Sequence, residues 1–172
     1  MITSTYVLKS IISSFEKEGW IVHHRYDYNP ALIRKLGFGD RRFVKSDDIE
    51  PVFLPEPNLT MMKGGVGVVC EIDYKYSKKS FVSIVLIKET MRKTTYLKKY
   101  FSGKVPKQIL YGAAMPNLDL HVERGRAHLS EIDFFVSVGP GSQVFKIKSP
   151  RGYAGKPFSS LAKPKHKTIV QV

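Results

Sequence analysis

Between residues 69 and 89 the chain reads VCEIDYKYSKKSFVSIVLIKE, and three of its side chains are of the types that phosphodiester hydrolysis requires. Glu71 and Asp73 are hard oxygen donors of the kind Mg²⁺ takes. Lys75 can orient a water or stabilise charge developing on a phosphate. On a strand, residues two apart share a face, so Asp73 and Lys75 point the same way with Glu71 alongside. An acid from a neighbouring segment would complete the set, and Asp48 is the best-placed candidate. The catalytic candidates are therefore Asp48, Asp73 and Lys75, and the metal-holding candidates Asp48, Glu71 and Asp73. Mg²⁺ is called for only if the protein is a nuclease. The competing account of the same residues is a solvated strand face with cross-strand charge pairs, each worth a few tenths of a kcal/mol.

The elements that must position these residues are read from periodicity. Residues 4 to 18 predict a helix, with Val7, Leu8, Ile11, Ile12 and Phe15 on one face, Thr3 or Ser4 as cap and Gly19 as stop. WIVHHRYDY predicts a strand with Trp20, Val22, His24 and Tyr26 on one side. NPALIRKLG predicts a short helix, and 38 to 65 is irregular up to a turn at KGG. Residues 66 to 76 and 80 to 88 predict a hairpin, with Val66, Val68, Cys70 and Ile72 on one face of its first arm. A second helix is expected over ETMRKTTYLKKYFSGK, a buried strand over KQILYGAAM, two strands over LDLHVERGRAHLSEIDFFVSV, and a last strand over QVFKIK. The fold class is α+β: a single mixed β-sheet flanked by two helices, with a basic, partly extended C-terminal arm. The expected division is an α+β nucleic-acid-binding, nuclease-like core over 1–148 and the arm over 149–172.

With the motif set among these elements, the chain resembles the PD-(D/E)xK nuclease superfamily. DYK at 73 to 75 matches the (D/E)xK half, and Asp48 in SDDIEPVFLPEP stands for the first aspartate, without the preceding proline. The resemblance covers roughly residues 4 to 113. It implies a metal-dependent endonuclease, with Glu16 or Glu18 as a further acid. The strand expected at 80 to 88 departs from the family order, which goes from the lysine strand straight into a helix. A second register, Asp73 with Lys88, restores that order but places Leu86 where an acid belongs.

Charge speaks more to partners than to reaction. The 172 residues carry 28 Lys and Arg against 15 Asp and Glu, a net +13. Such an excess points to a polyanion, DNA or RNA before an anionic membrane. Residues 134 to 172 hold seven of the basic residues and no acid, leaving 21 basic and 15 acidic residues before them. Tyr and Lys interleave in DYKYSKKS, YLKKYFSGK and SPRGYAGKPF. Lysines neutralise phosphates and rings stack on unpaired bases. The candidate contacts are Lys78, Lys79, Arg92, Lys93, Lys98, Lys99, Arg151, Lys156, Lys163, Lys165 and Lys167. The alternative function is a non-catalytic basic nucleic-acid-binding or structural protein of viral or phage coat, scaffold or inhibitor type.

Other chemistries find less support. Cys70 is the only cysteine, so neither an internal disulfide nor a cysteine-rich zinc site can form. His23 and His24 fall on opposite faces of an ideal strand, whereas His121, Glu123 and His128 would lie close together. A histidine acid–base ribonuclease needs no metal and stays open. No G-x-S-x-G elbow is present, and GFGDRR and GPGSQ read as turns. The first twenty residues lack the basic and continuous apolar regions of a signal peptide, and no run reaches the roughly 18 apolar residues of a membrane span. A cytoplasmic protein is expected, or a nuclear one in a eukaryotic host, neither secreted nor membrane-bound.

Overall fold

A computed structural model describes residues 3–26 and 56–165. Its centre is one mixed six-stranded sheet in the order β1-β2-β3-β4-β5-β6. The strands are β1 (Ile21–Arg25), β2 (Leu59–Lys63), β3 (Val66–Ile72), β4 (Gln108–Pro116), β5 (Phe134–Val138) and β6 (Val144–Lys148). β1, β2 and β3 form an antiparallel meander, β3, β4 and β5 run parallel, and β6 returns antiparallel to β5. Four helices accompany the sheet among the described residues: α1 (Ser4–Glu16), α2 (Lys78–Thr90), α3 (Thr94–Tyr100) and α4 (Asp119–Arg126). The chain is thus α+β with one mixed sheet. None of the described helices is long and apolar enough to cross a membrane.

Each face of the sheet buries its own core. α1 lays Val7, Leu8, Ile11 and Phe15 against Leu59, Met61, Val68, Cys70 and Phe134. The Thr3 hydroxyl caps α1 by accepting from the Tyr6 amide at 3.2 Å. On the opposite face Val69, Tyr111, Ala113 and Phe135 meet Phe81, Ile84 and Ile87 of α2 and Leu97 and Tyr100 of α3. α4 shares that face through Gly125, where a Cβ would come within 2.6 Å of the Phe135 ring.

Local chemistry sets the connections. The KGG turn joins β2 to β3, with Gly64 and Gly65 both at positive φ (+56° and +84°), as a two-residue hairpin loop demands. Parallel neighbours need crossovers, which α2 with α3 supply between β3 and β4, and α4 between β4 and β5.

Four expectations are corrected. The hairpin partner of β3 is β2, and residues 80 to 88 lie within α2. Phe81, Ile84 and Ile87 recur three apart and face the sheet, while the intervening Val82, Val85 and Leu86 are exposed and only imitate a two-sided strand. The helix expected from 89 is divided between the end of α2 and the shorter α3. Residues 119 to 126, expected as strand, are α4. A bulge between Val22 and His24 breaks the alternation of β1, so His24 leaves the face of Val22. His23 then lies 6.2 Å from the Phe101 ring and His24 5.0 Å from Tyr100, both toward α3.

The described part of the C-terminal arm, 149–165, is docked. Phe158 is buried between Phe15 and Phe134, with ring centroids 5.3 and 5.0 Å away. The Trp20 indole donates to the Lys156 carbonyl at 2.9 Å, and the Lys146 amide donates to the Ala162 carbonyl at 2.9 Å. Phe158→Ala should therefore destabilise the whole domain by about 3–5 kcal/mol. Urea unfolding followed by circular dichroism checks this; a change below about 1 kcal/mol would mean that the arm docks without supporting the core.

Candidate functional site

The carboxylates singled out in the sequence meet at the carboxyl end of β3. Glu71 shares the face of Val69 and points to the α2–α3 side, where it is only 8% exposed. It is held by the residue just before β2: the Asn58 amide donates to Glu71 Oε1 at 3.1 Å, and Asn58 Oδ1 accepts from the Ile72 amide at 2.7 Å. Asp73 lies just past the strand. Its amide donates to the Ala114 carbonyl on β4 at 3.0 Å, and its carboxylate accepts from the Ser80 hydroxyl in the first turn of α2.

Burial sets the electrostatics of this pair. It pushes the Glu71 carboxyl up to about 8, with the Asp73 charge adding to the rise and the Asn58 amide opposing it. Asp73 is also raised by burial, against the Ser80 hydroxyl, the Tyr74 amide and the charges of Lys75 and His121.

The loop that follows is fastened to α4. The Tyr76 amide donates to His121 Nδ1 at 2.9 Å, so the neutral imidazole carries its proton on Nε2. Burial and Arg124 lower the His121 pKa, while Asp73 opposes the fall. The Tyr76 hydroxyl lies 2.9 Å from His128 Nε2, whose ring stacks on Phe81 at 4.5 Å and bonds Glu131 at 3.1 Å through Nδ1. His121, Glu123 and His128, which strand spacing would have placed near one another, take separate partners. His128 takes Tyr76 and Glu131 instead, and Glu123 pairs with Arg126 at 3.8 Å.

Other candidates fall in different places. Lys75 is exposed, with its ammonium 5.2 Å from the Tyr74 ring centroid. Because β3 ends at Ile72, strand alternation does not align Asp73 with Lys75; charge couples them across a bend. Lys88 sits late on α2, 5.7 Å from the Tyr111 ring, about 15 Å along the helix from its start. Lys88 is therefore a helix residue and not the last residue of a strand, and Leu86 is an exposed residue of the same helix. Glu16 and Glu18 do not join the pair either. The Glu18 carbonyl accepts from Lys63, at the end of β2 remote from Glu71. Asp48 lies outside the described residues.

The basic candidates divide by location. Lys78 and Lys79 are exposed on the first turn of α2, beside Asp73. Lys99 on α3 is held 3.2 Å from Glu56, which leads into β2 at the same end of the sheet. Arg92 and Lys93 occupy the turn after α2, where Arg92 pairs with Glu89 at 3.1 Å, and Lys98 is exposed on α3. Lys156 lies 3.9 Å from Glu18, on the α1 side; Arg151, Lys163 and Lys165 are exposed along the arm, and Lys167 lies outside the described residues.

Asn58, Ser80 and His121 are the participants that the (D/E)xK pattern could not supply, since each arrives by tertiary contact. The site offers one buried carboxylate group, Glu71, and one half-buried, Asp73, and no group of three His, Cys, Asp or Glu able to hold a metal occurs among the described residues. No protein-family model matches the chain, and comparisons with curated proteins and with solved structures give no match.

The raised Glu71 pKa makes stability depend on pH. Below about 4.5, its usual value, both folded and unfolded chains hold the proton. Between there and about 8 the unfolded chain releases it while the folded chain retains it, so stability falls as pH rises and levels off above 8. Glu71→Gln removes that slope. In EDTA, the melting temperature of the variant should gain on wild type progressively from pH 5 to pH 8.5. Parallel curves across that range would refute the buried, raised carboxyl.

Proposed function

We propose that this protein binds nucleic acid and cleaves its phosphodiester backbone with a divalent metal held at Glu71 and Asp73. The carrying observation is the buried Glu71 carboxylate with the half-buried Asp73 two residues on, at the carboxyl end of β3 beside its parallel neighbour β4. Burying one acid in apolar surroundings is costly, and placing a second within its field costs more. A divalent cation offsets both costs. The donors suit one in kind: Mg²⁺ takes hard oxygens and commonly uses one or two carboxylates, with waters and substrate phosphate completing its shell. When bound, Mg²⁺ supplies charge stabilisation at the phosphate and acidifies a bound water.

The chain's own residues account for the rest. Asn58 and Ser80 fix the carboxylate orientations. Lys75, Lys78 and Lys79 offer ammonium groups to the phosphates before and after the scissile one. His121, with its proton on Nε2, presents a neutral donor beside Asp73. The net charge of +13 favours a polyanionic substrate. The element order also supports the PD-(D/E)xK resemblance, because β3 leads directly into α2 and no strand intervenes. Asp48 remains the proposed third acid.

A second reading has its own observation. Only two acids converge among the described residues, and a protonated Glu71 capped by Asn58 can be purely structural. The protein is then a non-catalytic nucleic-acid binder or a coat, scaffold or inhibitor protein. One assay separates the two. Plasmid DNA and RNA incubated with Mg²⁺ or Mn²⁺ should be cut by wild type, and at least 100-fold more slowly by Asp73→Asn and Glu71→Gln. Equal rates for wild type and Asp73→Asn, or no cutting under any condition, would leave only the binding role. Exchanging Arg151, Lys156, Lys163 and Lys165 for Gln, with Phe158 left in place, should flatten the salt dependence of affinity. An unchanged slope would remove the arm from the interface.

A further inference from the structure

The rim of the carboxylate site carries apolar surface that a phosphate backbone does not need. Tyr74 is 49% exposed, Leu118 50% and Leu120 49%, three of the eight large exposed hydrophobic side chains among the described residues. All three belong to the segments that follow β3 and β4 at their carboxyl ends. Tyr74 comes directly after Asp73, and Leu118 lies two residues beyond the end of β4. The segments are tied together by the Asp73 amide on the Ala114 carbonyl and the Tyr76 amide on His121 Nδ1. The Leu118 amide bonds back to the Pro116 carbonyl at 2.9 Å, so this rim is built of hydrogen-bonded backbone.

Cations border the same surface. The Lys75 ammonium stands over the Tyr74 ring, and Lys78, Lys79 and Arg124 are exposed nearby on α2 and α4. Asp119 and Glu123 are exposed acids on α4, Glu123 paired with Arg126 at 3.8 Å. A duplex presents phosphate and sugar outward and keeps its base faces stacked. It would meet the cations and leave the tyrosine and leucines idle. An unpaired strand offers both phosphates and free base faces, the combination that single-strand binding surfaces use.

Building on the nucleic-acid reading of this site, we infer that its substrate is an unpaired strand, either single-stranded nucleic acid or an unpaired end. Bases stack on Tyr74 and lie over Leu118 and Leu120, while Lys75, Lys78, Lys79 and Arg124 take the flanking phosphates. The backbone then passes the Glu71–Asp73 pair.

Fluorescence anisotropy on the full chain in EDTA tests this without requiring cleavage. Labelled 12-nucleotide DNA and RNA single strands are titrated against duplexes of the same length. Single strands should bind at least tenfold more tightly, and Tyr74→Ala combined with Leu120→Ser should abolish that preference while leaving duplex affinity within about twofold. Tyr74→Phe should retain it. Equal or tighter duplex binding, or a variant that weakens both forms equally, would overturn the assignment. A protein that prefers single strands yet never cuts would lose the hydrolase role and keep this one, and a protein that prefers and cuts duplex would do the reverse.

Discussion

The parallel pairing of β3 with β4 is the constraint on which the rest of the molecule depends. From Val66 opposite Gln108 to Ile72 opposite Ala114, the two strands run in register in the same direction. Parallel neighbours cannot be joined by a tight turn, so the chain must leave the sheet, build α2 and α3 across one face, and return. That route brings the carboxyl ends of β3 and β4 side by side. The segment leaving β3, 73–77, is then close enough to β4 and α4 for Asp73 to bond Ala114 and Tyr76 to bond His121. β5 extends the arrangement. It approaches β4 so tightly that a Cβ at position 112 would fall 2.4 Å from the Phe134 carbonyl, which explains the glycine within the otherwise side-chain-rich run of β4.

The apolar run of β3 is broken at its carboxyl end. Val68, Val69 and Cys70 are fully buried, and the strand then carries its one acidic residue, Glu71, into the same environment. A purely structural strand would continue with an apolar residue. Asn58 partly offsets the cost by giving Glu71 one backbone hydrogen bond, and Ser80 does the same for Asp73 with a hydroxyl. Neither contact supplies a counter-charge. Local rules broken in a buried place, with only partial compensation, are what functional sites commonly show.

The sequence was legible where one signal acted alone. α1, the Gly64–Gly65 turn, β4 and β6 follow from periodicity, left-handed glycines and continuous apolar runs. It misled where two signals coincided. Val82, Ile84, Val85 and Ile87 are β-branched and read as strand, yet packing of Phe81, Ile84 and Ile87 on the sheet makes them helix. α4 was hidden because it has few apolar residues and only Val122 and Gly125 are buried. At the site, Glu71 and Asp73 were visible as a spaced acidic pair. Their supports were not, since Asn58 reaches them through strand register, Ser80 through helix α2 and His121 through a crossover. No local pattern encodes those approaches.

Trp20 has a further consequence. It is the only tryptophan in the chain, it packs against Tyr153 at 6.0 Å, and its indole N–H is bonded to the backbone of the arm at Lys156. The protein thus contains an intrinsic optical reporter at the junction of arm and core. Undocking of residues 149–165 would expose the indole to water and shift its emission to the red. Undocking of the arm can then be followed in unlabelled protein, separately from unfolding of the α2–α3 side of the sheet, where no tryptophan lies.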